Sequence, residues 1–485
     1  MKITDNTQMA TGMSDGKLNH SHVDGSDFIK ETEDKKIRFS SSRFFRFIHG
    51  KGIRKIRQGA DFDLVLVQDY IVSKISTSEV KEIVLNFVKT LENDRLTDYI
   101  LNKTVLFSLK YLDAVETIKP KMHRDKPGES FFYFQNGVVK VTAKGIQQPI
   151  PYHQFKHLIW KDHIISRTFN AETDIEITPP MFQDFISKLS EGNEERFKRI
   201  CSVMGYCLFD YKTSATSRAV IINDEKVSSA PEGGSGKSLI VDALSKLRKT
   251  ALFDGKKFDA KADFVWQKID ESVRIVGIDD VKRGFNFEDL FSIITSGFRN
   301  INKKNRDEIE LSVEESPTIV ITTNNILKGN SGSFLRRQHQ IEVFQFFSNK
   351  LTPLDYYEST FFSDWDEMEW RRFDVFMLNC VMMFLMHGVT EYHEKDPQQK
   401  ELIRETNQSF AEWIEDNLEL LTASEGVGTI QARDSFLDAT NQRFTSLSDR
   451  KFTNYVKAYC QIYGYEYVAL SNMRPRGFRI SRKIE

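Results

Sequence analysis

The chain has 485 residues, enough for roughly two to four domains, and its 40% hydrophobic and 28% charged residues exclude a disordered chain. A net charge of −1 excludes a global electrostatic field, so any contact with nucleic acid has to come from local basic patches. The four scattered cysteines form no CxxC pair, which speaks against a disulfide framework or a zinc site and suits a reducing cytoplasm.

Residues 1–35 are polar and aperiodic and read as a disordered tail, and with no apolar h-region they predict no signal peptide. From Lys35 to Arg57 the chain is rich in cations with interleaved aromatics (KKIRFSSSRFFRFIHGKGIRKIR), an alternation that suits an amphipathic strand pair as well as a DNA contact. Residues 36–210 read as an N-terminal α+β and helical region. Its elements are a strand at FDLVLV, a helix over Ser78–Leu91, a hairpin over 131–145 turning at Asn136-Gly137, and helices from Pro180 to Phe209.

Residues 211–397 alternate strand and helix as an α/β domain does, with strands at Ala219–Asn223, Val273–Ile278, Thr318–Thr322 and Gln340–Phe346. A helical region over 352–396 closes it. Its longest apolar run, Val375 to Met386, contains Asn379 and is too short to cross a bilayer, so no membrane partner is expected. Residues 398–485 give helices at Ser409–Leu420, Thr429–Thr440 and Ser448–Tyr463, then a hairpin over 464–483. That order predicts a winged-helix-like domain. Lys451 and Lys457 lie on its third helix, and Arg474, Arg476, Arg479 and Arg482 on the wing.

The chemistry concentrates in the α/β part. Pro231-Glu-Gly-Gly-Ser-Gly-Lys-Ser238 precedes a helix-forming run, and such a turn offers backbone N–H groups and a positive helix end to an anionic phosphate. Gly233, Gly234, Ser235, Gly236 and Leu239 are the expected backbone cradle for ATP. Lys237 is expected to reach the β- and γ-phosphates, and Ser238 to ligate Mg²⁺. Pro231 stands where the usual phosphate loop has its first glycine. The strand IVGIDD supplies Asp279 for the Mg²⁺ shell and Asp280 to polarise the attacking water. IVITTNN then places Asn324 as a neutral donor beside the γ-phosphate, and SFLRR offers Arg336 and Arg337 to act in trans. Between them, the four cations of Arg299–Arg306, Lys303 and Lys304 included, sit in an expected hairpin tip that suits phosphate tracking.

With GGSGKS, IVGIDD, a basic segment, IVITTNN and SFLRR in this order between 231 and 337, the chain resembles the superfamily 3 helicases of viruses and mobile elements. More narrowly, it is similar to the helicase half of phage and plasmid primase–helicases, the group that includes the poxvirus-type proteins. SIITSGFRNINKKNRDEIEL (292–311) matches that family's extra motif, and FFYFQNGVVKV resembles the strand pair preceding its motor. The resemblance implies an AAA+-like P-loop NTPase that forms a hexameric ring and moves along single-stranded or forked DNA in a bacterial host cytoplasm. It assigns the phosphate loop to Gly236, Lys237 and Ser238, the metal strand to Asp279 and Asp280, and the sensor to Asn324. Arg336 or Arg337 matches the arginine finger, and Lys303 or Lys304 the pore lysine. No primase carboxylate cluster is found before 215, so a separate primase or polymerase is the expected partner. The other class of protein compatible with these motifs is a non-translocating initiator that uses ATP as an assembly switch.

Overall fold

The structure, a computed structural model, describes residues 27–171, 179–225, 234–304, 307–327, 332–391, 393, 396–441, 446–470 and 476–482. Its compact units divide between Lys121 and Met122.

In the first unit a short hairpin, Ile29–Glu31 with Ile37–Phe39, leads into helix α1 (Ser41–Gly50). The strand pair suited by the 35–57 alternation is therefore interrupted. Phe44, Phe47 and Ile48 fall at i, i+3 and i+4, and that spacing buries all three on one helical face. Strands β1 (Ile53–Gln58), β2 (Asp61–Gln68) and β3 (Ile71–Lys74) then form an antiparallel meander. Helix α2 (Thr77–Lys89) begins with a capping box, Ser76 Oγ accepting from the Glu79 N–H and the Glu79 carboxylate from the Ser76 N–H. It buries Val80, Val84 and Val88, the stripe expected at helical spacing, and helix α3 (Asp94–Asn102) follows it.

In the second unit, β4 (Glu129–Phe134) and β5 (Gly137–Thr142) form the expected hairpin. Phe134 pairs with Gly137, which sets the turn at Gln135-Asn136, one residue earlier than expected. The Asn136 side chain fixes it, donating to the Phe169 carbonyl at 2.9 Å and accepting from the Phe169 N–H at 3.0 Å. Helices α4 (Met181–Leu189) and α5 (Glu194–Leu208) follow. Phe132, Phe134, Phe185, Ile200 and Met204 share one core with Val220, Ile222, Ile341 and Phe373. A boundary at 210 therefore cuts through a continuous core, because the hairpin and both helices bury their apolar faces against the sheet that follows.

That sheet has the strands β6 (Ala219–Asp224), β7 (Thr250–Asp254), β8 (Ile275–Asp279), β11 (Thr318–Thr323) and β12 (Gln338–Val343). Its order is β7-β8-β11-β6-β12, and all pairs are parallel. The interior β6 and β11 are buried along their whole lengths, as expected for near-continuous apolar runs covered on both faces. Helix α6 (Lys237–Ser245) follows β6. A short helix α7 (Phe291–Ser296) and the antiparallel pair β9 (Phe298–Ile301) and β10 (Ile309–Leu311) lie between β8 and β11 in sequence.

Helix α8 (Glu367–His387) takes up the apolar run from Val375 and packs against α5. Among the described residues no helix is long and apolar enough to cross a membrane. Gly205 marks the closest approach of α5 to α8, since a Cβ there would lie 2.2 Å from the Cys380 carbonyl oxygen. Gly205→Ala is expected to destabilise by about 1–3 kcal/mol through overpacking, read as a lower denaturant midpoint at unchanged slope.

The C-terminal part has its own core of Phe410, Trp413, Phe436, Phe452 and Phe478. Helices α9 (Pro397–Glu405), α10 (Gln408–Asp416), α11 (Thr429–Ala439) and α12 (Asp449–Tyr463) surround it. Strand β13 (Val427–Gly428) precedes α11, and β14 (Tyr465–Leu470) and β15 (Gly477–Arg482) follow α12. These three form a sheet in the order β13-β15-β14. A buried ion pair between Lys400 of α9 and Glu342 of β12 ties this part to the parallel sheet.

Candidate functional site

The C-terminal ends of β6, β8 and β11 bring together side chains from distant parts of the sequence. After β6 the chain re-enters the described residues at Gly234, and Gly234 and Gly236 have φ of 94° and 90°, where glycine is favoured. At Gly236 the second reason is space, because a Cβ would meet the Phe185 ring at 2.6 Å. Gly236 is the N-cap of α6 and Lys237 its first residue, so the free N–H groups of the first turn open where Ser235 and Ser238 stand. Pro231 and Gly233 lie outside the described residues.

Lys237 is 7% exposed and its ammonium is fully engaged. It donates to both Asp224 oxygens at 2.7 Å, to Ser235 Oγ at 2.8 Å and to Asn324 Oδ1 at 2.6 Å. Ser238 Oγ donates to the Asp279 carboxylate at 2.8 and 3.0 Å. Asp279 also accepts from Thr322 Oγ1 at 2.6 Å, and that hydroxyl accepts from the Asp280 N–H at 2.7 Å. Asp280 sits in the left-handed region at φ 56°, past the end of β8. Asn324 Nδ2 donates to Asp280 Oδ1 at 3.2 Å, closing the network. Lys237, Ser238, Asp279, Asp280 and Asn324, each chosen from the sequence, thus meet in one cluster.

Ser238 and Asp279 offer a hydroxyl and a carboxylate on adjacent elements. Among the described residues no cluster of three His, Cys, Asp or Glu is arranged to hold a metal. The sparse oxygen set suits Mg²⁺, which keeps several waters and is completed by phosphate oxygens, better than a fully protein-caged ion.

Three participants were not legible in the sequence. Asp224 ends β6, one residue beyond the expected strand end. Thr322 is placed by the pairing of β11 with β8. Lys256, between β7 and β8, forms a 2.8 Å ion pair with Asp280, and that hydrogen bond raises the lysine's pKa. A lysine alone in a loop carries no local signal for such a contact.

The arginines stand apart from this network. Arg337 is half-buried, its guanidinium 4.7 Å from the Phe291 ring centroid and donating to the Ser333 carbonyl at 2.8 Å. Arg336 is exposed, and its guanidinium has no hydrogen bond or ion pair among the described residues. Neither arginine is hydrogen-bonded to Lys237, Asp279 or Asn324.

The antiparallel pair of β9 and β10 forms at the basic segment, and positions 305–306 of the expected tip lie outside the described residues. Arg299 and Lys304 are exposed and Lys303 half-buried, whereas Arg306 lies outside the described residues. Its root borders a cleft of about 290 Å³ lined by Phe264, Trp266, Phe298, Arg299 and Asn302. In the C-terminal part Lys451 and Lys457 lie on the exposed side of α12, each with its ammonium near an aromatic ring, Tyr455 and Tyr467 respectively. Arg476 and Arg482 are exposed at the two ends of β15 and its approach, Arg479 is half-buried, and Arg474 lies outside the described residues.

No family model matches the chain, and no curated protein matches it. Among solved structures it is similar to the A-form apo structure of the NrS-1 C-terminal region. That likeness has 14% identity over 90% of this chain and 98% of that one, with a TM-score of 0.41. A second apo structure of the same region, residues 305–718, is 12% identical over 90% and 97%, with a TM-score of 0.40.

Proposed function

We propose that this chain is an ATP-hydrolysing DNA motor of the superfamily 3 helicase type, built on a P-loop, AAA+-like sheet with a winged helix at its C-terminus. The observation that carries the reading is the single network joining Lys237, Ser238, Asp279, Asp280 and Asn324 at the ends of three parallel strands. A crevice outside the carboxyl ends of parallel strands, beside a helix N-terminus, is where such sheets take anionic nucleotides.

The roles follow from the donor chemistry. The α6 N-terminus and Lys237 bind and orient the triphosphate, and Ser238 and Asp279 are the residues that would hold Mg²⁺. Bound there, the metal supplies charge neutralisation between the phosphates. Asp280 faces the same space and orients the attacking water, once Lys256 has released its carboxylate. The Asn324 amide bridges Asp280 and the lysine, which suits a sensor of the γ-phosphate. Translocation is supported by the hairpin with Arg299, Lys303 and Lys304, and duplex contact by Lys451, Lys457 and Arg476. Single-stranded or forked DNA is the partner, and a ring of subunits, six by the family resemblance, is the assembly. Replication of a phage or mobile element is the setting, with a separate primase or polymerase.

The test is ATP turnover with and without single-stranded DNA, together with strand separation on a forked duplex. Lys303→Ala combined with Lys304→Ala is expected to reduce DNA stimulation severalfold while basal turnover changes little, because backbone contacts are lost and the phosphate site is untouched. Equal loss of both rates contradicts the hairpin assignment. ATP-dependent DNA binding without strand separation would favour a switch-type initiator.

A further inference from the structure

Lys237 already has an anion. An ammonium has three hydrogens to donate, and here they face the two Asp224 oxygens, Ser235 Oγ and Asn324 Oδ1, all within 2.8 Å. Asp224 and Lys237 are each 7% exposed, so neither charge is answered by bulk water. Asp224 itself is fixed by position, as the last residue of the interior strand β6, paired with Val343 of β12 and followed by Glu225, which is held by Arg196 at 2.7 Å. It therefore has little freedom to withdraw when a ligand arrives. Of the lysine's partners only Asp224 carries a charge, and its sign is that of a phosphate.

We propose that Asp224 is an internal counter-anion that an incoming polyphosphate must displace from Lys237, so that it weakens nucleotide binding and favours release of the product. This rests on the phosphate-site reading above and adds to it a positioning residue that sets affinity. Two anions cannot share one ammonium without mutual repulsion, and in a poorly hydrated site that repulsion is only weakly screened. A phosphate that wins Lys237 does so against Asp224. When phosphate leaves, the carboxylate recaptures the lysine and returns it to its resting partner. The opposing role, in which Asp224 assists binding by stiffening the lysine, predicts the opposite sign for its removal.

The experiment measures equilibrium affinity of the full-length protein for ATP, ADP and inorganic pyrophosphate, alongside steady-state kcat and KM. Asp224→Asn keeps the shape and one acceptor but removes the charge. It is expected to tighten all three ligands by about tenfold, one charge-assisted contact no longer having to be surrendered. KM should fall by a similar factor and kcat should not rise, since release is slowed. In a Lys237→Met background the same change at Asp224 should leave affinity unaltered, because the competition runs through the lysine. A gain that persists there would mean direct repulsion of phosphate and would overturn the displacement. Asp224→Ser, with a smaller neutral acceptor, should shift affinity in the same direction as the Asn variant. Equal or weaker binding by both, or loss of the fold in both, would make Asp224 a structural partner and end the proposal. Wild-type protein that binds none of the three ligands would instead remove the phosphate site itself.

Discussion

Lys237→Ala is expected to lower ATP turnover by about 10³-fold, the scale on which loss of one preorganised charge at a phosphoryl-transfer site is felt. The same variant should also melt earlier, and for a separate reason. Removing the ammonium leaves the Asp224 carboxylate buried without its ion-pair partner. Breaking one side of a buried ion pair costs about 3–5 kcal/mol, because the remaining charge stays desolvated. Stability and chemistry are then separable by pairing Lys237→Ala with Asp224→Asn. That double variant should recover most of the lost melting temperature and none of the turnover. A lysine serving only as a structural counter-ion predicts that turnover returns with the fold. The decisive measurements are a thermal or denaturant melt and a phosphate-release assay on the three proteins.

Such a test is possible because much of the site was readable in the amino-acid order. Apolar runs such as AVIIN, IVGI and TIVITT can be satisfied only as buried strands, and a polar residue directly after each has to emerge at the strand's end. Asp279 and Asn324 follow from that logic, as Lys237 follows from a glycine turn ahead of a helix. What stayed hidden depends on contacts between elements. The sheet order β7-β8-β11-β6-β12 is what sets Thr322 beside Asp279 and Asp224 beside the lysine. No local pattern states which strand neighbours which. Asp224 directly follows the expected strand Ala219–Asn223, but nothing in the local order pairs it with Lys237. The segment over 35–57 misled for a related reason. Its alternating cations and aromatics fit a strand, but Phe44, Phe47 and Ile48 fit a helix better, and burial chose the helix. The hairpin and helices before 210 share one core with the sheet that follows, a contact between distant elements that no local pattern announces.

The choice between Arg336 and Arg337, open in the sequence, is narrowed by what each side chain touches, and it leads to the second large effect. Arg337 lies over Phe291 and donates to the Ser333 carbonyl, contacts that hold the turn after Gly332–Leu335. Arg336, the adjacent residue, is exposed and has no such restraint among the described residues. A guanidinium meant for a neighbouring subunit's nucleotide should be exposed in the single chain and idle with respect to its own site. Arg336→Ala is accordingly expected to lower turnover by about 10³-fold or more, in the range known for arginines acting in trans, with no change in melting temperature. Arg337→Ala should instead cost about 1–2 kcal/mol of stability by losing its ring and carbonyl contacts, with a smaller effect on turnover. The trans arrangement makes a sharper demand. The folded but inactive Lys237→Ala, Asp224→Asn protein still carries an intact Arg336, and Arg336→Ala still carries an intact phosphate site. Mixed in equal amounts and allowed to exchange subunits, the two should regain turnover, because in a head-to-tail assembly about a quarter of the interfaces join one good site to one good arginine. Recovery should grow with protein concentration through the assembly transition. Two inactive proteins that stay inactive together, under conditions where subunit exchange is demonstrated, would place the arginine's action within its own chain or remove it from the chemistry.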